Sequence, residues 1–146
     1  MGLKIVSIGK DKEGLVKCPR PPMYLSKESK KHYMFMGNIL AKKDRLQDHY
    51  LNALEVYAVG MSQFEFACRE IEKKNAKEFG TGYIQTFKTG AQNISVVVTL
   101  RNDAIDILMK QFKIFGLDPK SDKELKSTTD PAQTSLFEEL MKSKNG

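Results

Sequence analysis

DHYLNALEVYAVGMSQFEFACREIEKK, residues 48–74, is the stretch that decides how this chain folds. It contains no proline and a single isolated glycine, Gly60, so nothing in it stops a helix that starts at Asp48 and runs to about Lys74. Leu51, Leu54, Ala58, Met61, Cys68 and Ile71 recur at three- and four-residue spacing and fall on one face. Tyr50, Tyr57 and Phe64 recur every seven residues on an adjacent face. A helix that is apolar over more than one stripe needs partners on more than one side. A lone helical hairpin of this size would leave one stripe wet, so an oligomer interface is expected to include Tyr57, Met61 and Phe64. Gly60 either admits a neighbour closely or is merely tolerated in mid-helix.

Toward the N-terminus, Ser26 is expected to cap a first helix, with Glu28 in its opening turn at the positive end of the dipole. Tyr33, Met36 and Leu40 form its apolar stripe, and Lys27, Lys30 and Lys31 cluster on the other side. Before it, residues 1–24 mix lysine, glycine and proline, including Pro19-Arg20-Pro21-Pro22, and read as a flexible basic arm with a short strand at most.

Toward the C-terminus, composition and period change together. Gly80-Thr81-Gly82, Tyr83 to Phe87, Lys88-Thr89-Gly90 and Ala91 to Ile94 alternate breakers with aromatic and β-branched residues, the pattern of a β-hairpin near 82–95. Ser95 can then cap a third helix in which Val97, Leu100, Ala104, Ile107 or Leu108, and Phe115 hold one face. Three consecutive valines are poor helix formers, which argues for a later start. Gly116 stops this helix, and Asp118-Pro119 opens a short one. The expected fold is thus mainly α: a long helical hairpin with a β-hairpin inserted between the second and third helices, a flexible basic N-terminal arm and a short C-terminal helix. Three parts are expected: an arm over 1–24, a helical oligomerisation and DNA-recognition domain over 25–126, and a linker with a partner-binding segment over 127–146.

Charge narrows the function. The net charge is +6, and residues 1–31 alone carry eight basic against three acidic side chains, a net of +5. Lys4, Lys10, Lys12, Lys17, Arg20, Lys27, Lys30 and Lys31 are therefore the candidates for contact with a polyanion such as DNA, where cations displace condensed counterions. A solvated basic arm without any such contact fits the same residues. Leu3 to Ile8 is interrupted by Lys4 and is too short for a signal-peptide core or a membrane span, so a cytoplasmic protein is expected.

No catalytic pattern emerges. There is no GxxxxGK[ST] turn to cradle phosphates. Cys18 and Cys68 have no partners at metal-ligand spacing and read as free thiols. His32 and His49 lack an evident nucleophile and orienting carboxylate, and the acids are spread along helix faces among lysines. A non-enzymatic protein without cofactor or metal is expected.

The order PPMYLSKESKKHY, a long helix containing LNALEVY, a glycine-bounded hairpin and a third helix ending FGLDPKS resembles the phage terminase small subunit family over Pro21 to about Ser121. Phe115, Gly116, Leu117, Pro119 and Ser121 are the most specific part. The chain departs from many members by carrying Ser95-Val96 where they place a proline. The resemblance implies a homo-oligomeric, usually ring-shaped assembly in the bacterial host cytoplasm. It would recognise the packaging start site on double-stranded viral DNA and regulate or recruit the large subunit, which is the ATPase and nuclease. Two other readings stay open: an assembly adaptor that binds only proteins, and a basic helical transcription regulator, against which the length of the second helix speaks.

The C-terminal segment offers Gln133, Leu136, Phe137 and Leu140 as partner-binding residues. Gln133-Thr134-Ser135-Leu136-Phe137 resembles the pentapeptide with which bacterial proteins dock onto the replication sliding clamp. The alternative, weighted more heavily, is a short amphipathic helix packing on the ring, the large subunit or the portal.

Overall fold

The computed structural model describes residues 15, 17–120, 122–124, 140 and 142–143. Among these described residues the main elements are three α-helices and a two-stranded ribbon in the expected order: α1 (Lys27–Lys42), α2 (Leu51–Lys77), β1 (Ile84–Thr86), β2 (Gln92–Ile94) and α3 (Val96–Ile114). The chain divides into two compact units, Met1–Gln111 and Phe112–Gly146.

In the first unit α2 is the spine, and what flanks it follows from its residues. α1 starts where Ser26 Oγ accepts a hydrogen bond from the Ser29 amide at 3.1 Å, as the Ser26 cap predicts. It ends in a Schellman turn, with Asp44 at φ 54° and the Asp44 and Arg45 amides donating to Ala41 O and Leu40 O. Reversed by that turn, α1 lies antiparallel to the N-terminal half of α2. Tyr33, Met36 and Leu40 are buried there with Leu54 and Ala58. Polar rungs fix the register: Ser29 Oγ and Ser62 Oγ are 2.9 Å apart, and His32 Nε2 meets Glu65 Oε1 at 3.0 Å. The orienting carboxylate that no linear pattern revealed for His32 thus comes from the facing helix, where the pair acts as an interhelical clasp.

Residues 48–50 form a single 3-10 turn, and α2 proper begins at Leu51. Its first turn has no side-chain cap, which tightens the start into the 3-10 geometry. It runs one turn past the expected Lys74, because the first helix-breaking glycine is Gly80. Of the predicted stripe, Leu54, Ala58 and Ile71 are buried, while Leu51, Met61 and Cys68 are half-buried.

From Leu15 on, the expected arm and the residue that follows it make core contacts. The Leu15 amide donates to Leu46 O, and Leu15, Cys18 and Leu25 are buried. Cys18 seats on α1 at Gly37, where a Cβ would overlap the Cys18 sulfur. Leu3 to Ile8 and the lysines among residues 1–14 lie outside the described residues.

α3 returns along α2. Its start is set by Ser95, whose Oγ accepts from the Val98 amide at 3.3 Å, so the helix begins at Val96 in spite of the three valines. The cap, at about 1 kcal/mol, offsets much of the propensity that Val96, Val97 and Val98 lack, each a fraction of a kcal/mol below alanine, and burial of Val98 contributes the rest. Leu108 reaches over Gly60, where a Cβ would stand 3.3 Å from Leu108 Cδ2, so the bare backbone at Gly60 makes room for that side chain. Within the second unit, Gly116 at φ 68° closes α3 with a second Schellman turn, the Gly116 and Leu117 amides donating to Lys113 O and Phe112 O. Asp118-Pro119 then opens a helical segment described at 119–120 and 122–124.

Candidate nucleic-acid interface

Periodicity alone puts Lys27, Lys30 and Lys31 on the side of α1 that Tyr33, Met36 and Leu40 do not use, and the structure keeps them there. With Met34 they line one shallow surface depression. Lys27 and Lys31 are exposed and Lys30 is half-buried. The Lys31 ammonium lies 3.6 Å from Glu28 across one helical turn, an exposed pair that contributes at most a few tenths of a kcal/mol. Lys17 and Arg20 are exposed on the segment leading into α1. Five of the eight candidate cations are therefore presented to solvent or its edge on two consecutive segments. Lys4, Lys10 and Lys12 lie outside the described residues.

Beside this face, the turn before α1 and the middle of α2 enclose an open groove of ≈ 390 Å³, lined among others by Tyr24, Leu25, Val59, Ser62 and Phe66. The Tyr24 hydroxyl donates to Glu55 Oε2 of α2. That bond, and the carboxylate charge beside it, raise the Tyr24 pKa above its ordinary value. Val59 and Phe66, with Val56, are exposed apolar residues of α2 that belong to neither stripe read from the sequence. Their i, i+3, i+10 spacing is a helical signal, but two stronger stripes on the same helix mask it.

The residues expected at a subunit interface separate. Tyr57 is only 4% exposed and belongs to the core of its own chain, whose burial raises its hydroxyl pKa. Met61 and Phe64 are half-buried and keep free surface. Of the partner-binding candidates, Leu140 is helical and 63% exposed, while Gln133, Leu136 and Phe137 lie outside the described residues.

A second cationic region stands at the far end of α2. Between Lys73 and Asn102 there are five basic residues, Lys73, Lys74, Lys77, Lys88 and Arg101, against one acid, Glu78. The hairpin rises from this end. Ile84 pairs with Ile94, Gln85 with Asn93 and Thr86 with Gln92 in an antiparallel ladder, and every residue from Tyr83 to Ile94 is exposed. Its base is anchored: Asn75 Oδ1 accepts from the Gly80 and Gly82 amides at 3.1 and 2.9 Å, and the buried Ser95 hydroxyl donates to Gly82 O at 2.7 Å.

Among the described residues no three His, Cys, Asp or Glu side chains gather where they could hold a metal ion. Both cysteines are free, Cys18 buried and Cys68 half-buried. No helix of the described residues is long and apolar enough to cross a membrane.

No curated protein and no solved structure matches this chain. A family model described as "Phage terminase, small subunit" matches residues 29–132, from the first helix past the FGLDPKS ending and over well more than half of the sequence. The chain belongs to the phage terminase small subunit family.

Proposed function

We propose that this chain is the non-catalytic DNA-recognition subunit of a packaging machine. A homo-oligomer of it binds double-stranded viral DNA at the packaging start site and regulates or recruits the large ATPase and nuclease subunit in the bacterial cytoplasm. The observation that carries this reading, beside family membership, is the cationic surface of Lys27, Lys30 and Lys31 on α1 together with Lys17 and Arg20 on the segment before it. Repeating that surface in an oligomer multiplies phosphate contacts on one duplex, where effective concentration converts weak single contacts into firm binding. The C-terminal segment with Gln133, Leu136, Phe137 and Leu140 serves partner contacts, on the ring, the large subunit or the portal in preference to the host sliding clamp.

The test is duplex binding at two salt concentrations, combined with light scattering. Wild type is expected to bind more weakly at higher salt with a slope that reports several phosphates per subunit. Removing residues 1–20, or reversing the charges of Lys27, Lys30 and Lys31, is expected to lower affinity and flatten that slope. Binding that does not respond to salt, or no binding at all, would instead favour an adaptor that contacts only proteins.

A further inference from the structure

The hairpin is an unusual use of chain in a protein of this size. Strands of three residues bury nothing between them, and a two-stranded ribbon is marginal in water unless it packs or is held. Here it is held at the base only. Asn75 ties the loop to the last turn of α2, and the Thr81 hydroxyl donates to Lys74 O and Glu78 O. Gly82 sits so close that a Cβ would overlap Ile71 O. Ser95 joins Gly82 to the start of α3. The mount is tied by these bonds and the ribbon above it is entirely exposed, an arrangement that presents the ribbon to something outside the chain.

One ribbon face pairs the exposed Ile84 and Ile94, and charge on and below the ribbon narrows what that something is. From Phe79 to Asn102 there is no acidic residue, and the cations are Lys88 in the turn and Arg101 in the second turn of α3. Lys73, Lys74 and Lys77 stand below them at the end of α2. Lys73 pairs with Glu70 at 3.9 Å and Glu72 and Asp103 flank the window, but Lys74, Lys77, Lys88 and Arg101 against Glu78 alone leave residues 74–102 at a net +3, which complements a polyanion. The chemistry of the ribbon then says which part of that polyanion it meets. Register puts Gln85 directly opposite Asn93, two carboxamides on one face. The Asn93 Oδ1 already accepts from the Ile94 amide at 2.9 Å, which leaves its NH2 to donate outward. No hydrogen bond engages the Gln85 side chain within the described residues, so both its donor and its acceptor are available. A glutamine in that state matches the N6 and N7 edge of adenine. The duplex major groove, about 12 Å wide, admits a two-stranded ribbon.

We infer that the β1–β2 ribbon is the sequence-reading element of this protein. It enters the major groove with Gln85 and Asn93 toward base edges and Lys88 on the phosphate backbone, while the face formed by α1 and the preceding segment supplies sequence-independent attraction. This deepens the DNA-binding reading above and rests on it.

Enrichment from a pool of random-sequence duplexes, followed by binding measurements on the full chain, tests it. Wild type is expected to enrich a motif. Gln85→Ala with Asn93→Ala is expected to lose about tenfold in affinity for that motif, falling toward the random-duplex level, with affinity for random duplex and its salt slope unchanged. Lys88→Ala is expected to weaken motif and random duplex equally and to flatten the slope. All three side chains are exposed, and circular dichroism with light scattering checks that fold and assembly persist. If wild type binds duplex but enriches nothing, or the double variant keeps the preference, this inference is overturned and DNA binding stands. A double variant that alters the scattering mass while keeping the preference makes the ribbon a subunit contact, which also overturns it. Absence of any duplex binding at low salt removes both readings together.

Discussion

Cys18 and Gly37 meet where the segment before α1 crosses that helix, and their contact makes two measurable demands. Burial pushes the Cys18 thiol from 9.0 up to about 11, and it pushes the Tyr33 hydroxyl up to about 12. In the unfolded chain the thiol ionises near its ordinary value, so between about pH 9 and about pH 11 the folded state holds the extra proton. Stability from this site is therefore complete below pH 9 and lost as pH rises toward 11, by an amount of order 1–3 kcal/mol. Denaturant midpoints measured across this window should fall for wild type and fall less steeply for Cys18→Ala. The second demand is steric. A methyl at Gly37 overlaps Cys18 Sγ and stands 3.1 Å from Leu54 Cδ2, so Gly37→Ala should cost about 1–3 kcal/mol by equilibrium unfolding. Because one sulfur causes most of the overlap, Gly37→Ala in a Cys18→Ala background should cost less than in wild type. Strict additivity of the two changes would show that they do not share this contact.

The junction of ribbon and α3 tests how an element can depend on one hydroxyl. Ser95, 2% exposed, donates to Gly82 O and accepts from the Val98 amide, so it satisfies a carbonyl at the ribbon base and an orphan amide of the helix at once. Ser95→Ala removes both bonds and leaves Gly82 O without that donor. The expected loss is about 1–3 kcal/mol, larger than for a cap on an exposed helix start. Hydrogen exchange should localise the loss to the ribbon amides and the first turn of α3, with α1 and the first half of α2 unchanged. If exchange accelerates uniformly, the ribbon mount is not a separate stabilising unit. Asn75→Ala is expected to loosen the same amides from the other side.

For the whole molecule the question is which apolar surface a second copy would cover. Exposed Val56, Val59 and Phe66 on α2, and Ile105 and Met109 on α3, leave wet apolar area that a single chain of 16.6 kDa does not hide. Light scattering is expected to give a multiple of that mass. Phe64→Glu with Met61→Glu should shift it to smaller soluble species while the helical circular dichroism signal persists. Tyr57→Glu behaves differently: at 4% exposure a charge there is buried in the protomer, and the variant should unfold at lower denaturant whatever its assembly state. A monomeric wild type at micromolar concentration would refute the interface.

The sequence by itself determined the elements and their order. Ser26 and Ser95 are caps, Gly116 is a stop, and the spacing of Leu54, Ala58 and Ile71 marks a buried stripe. These signals are local and act within one helical turn or one strand period. The cationic face of α1 was legible for the same reason, since three lysines within five residues share a side once the helix is known. Tertiary structure decided what depends on a facing element. Tyr57 is buried in its own chain at 4% exposure, and His32 gains Glu65 from thirty-three positions away. Cys18 is buried by Gly37, and the third apolar stripe at Val56, Val59 and Phe66 stays uncovered. Periodicity states that a residue is apolar and on which face it lies, but only the three-dimensional path of the chain states whether a neighbour occupies that face.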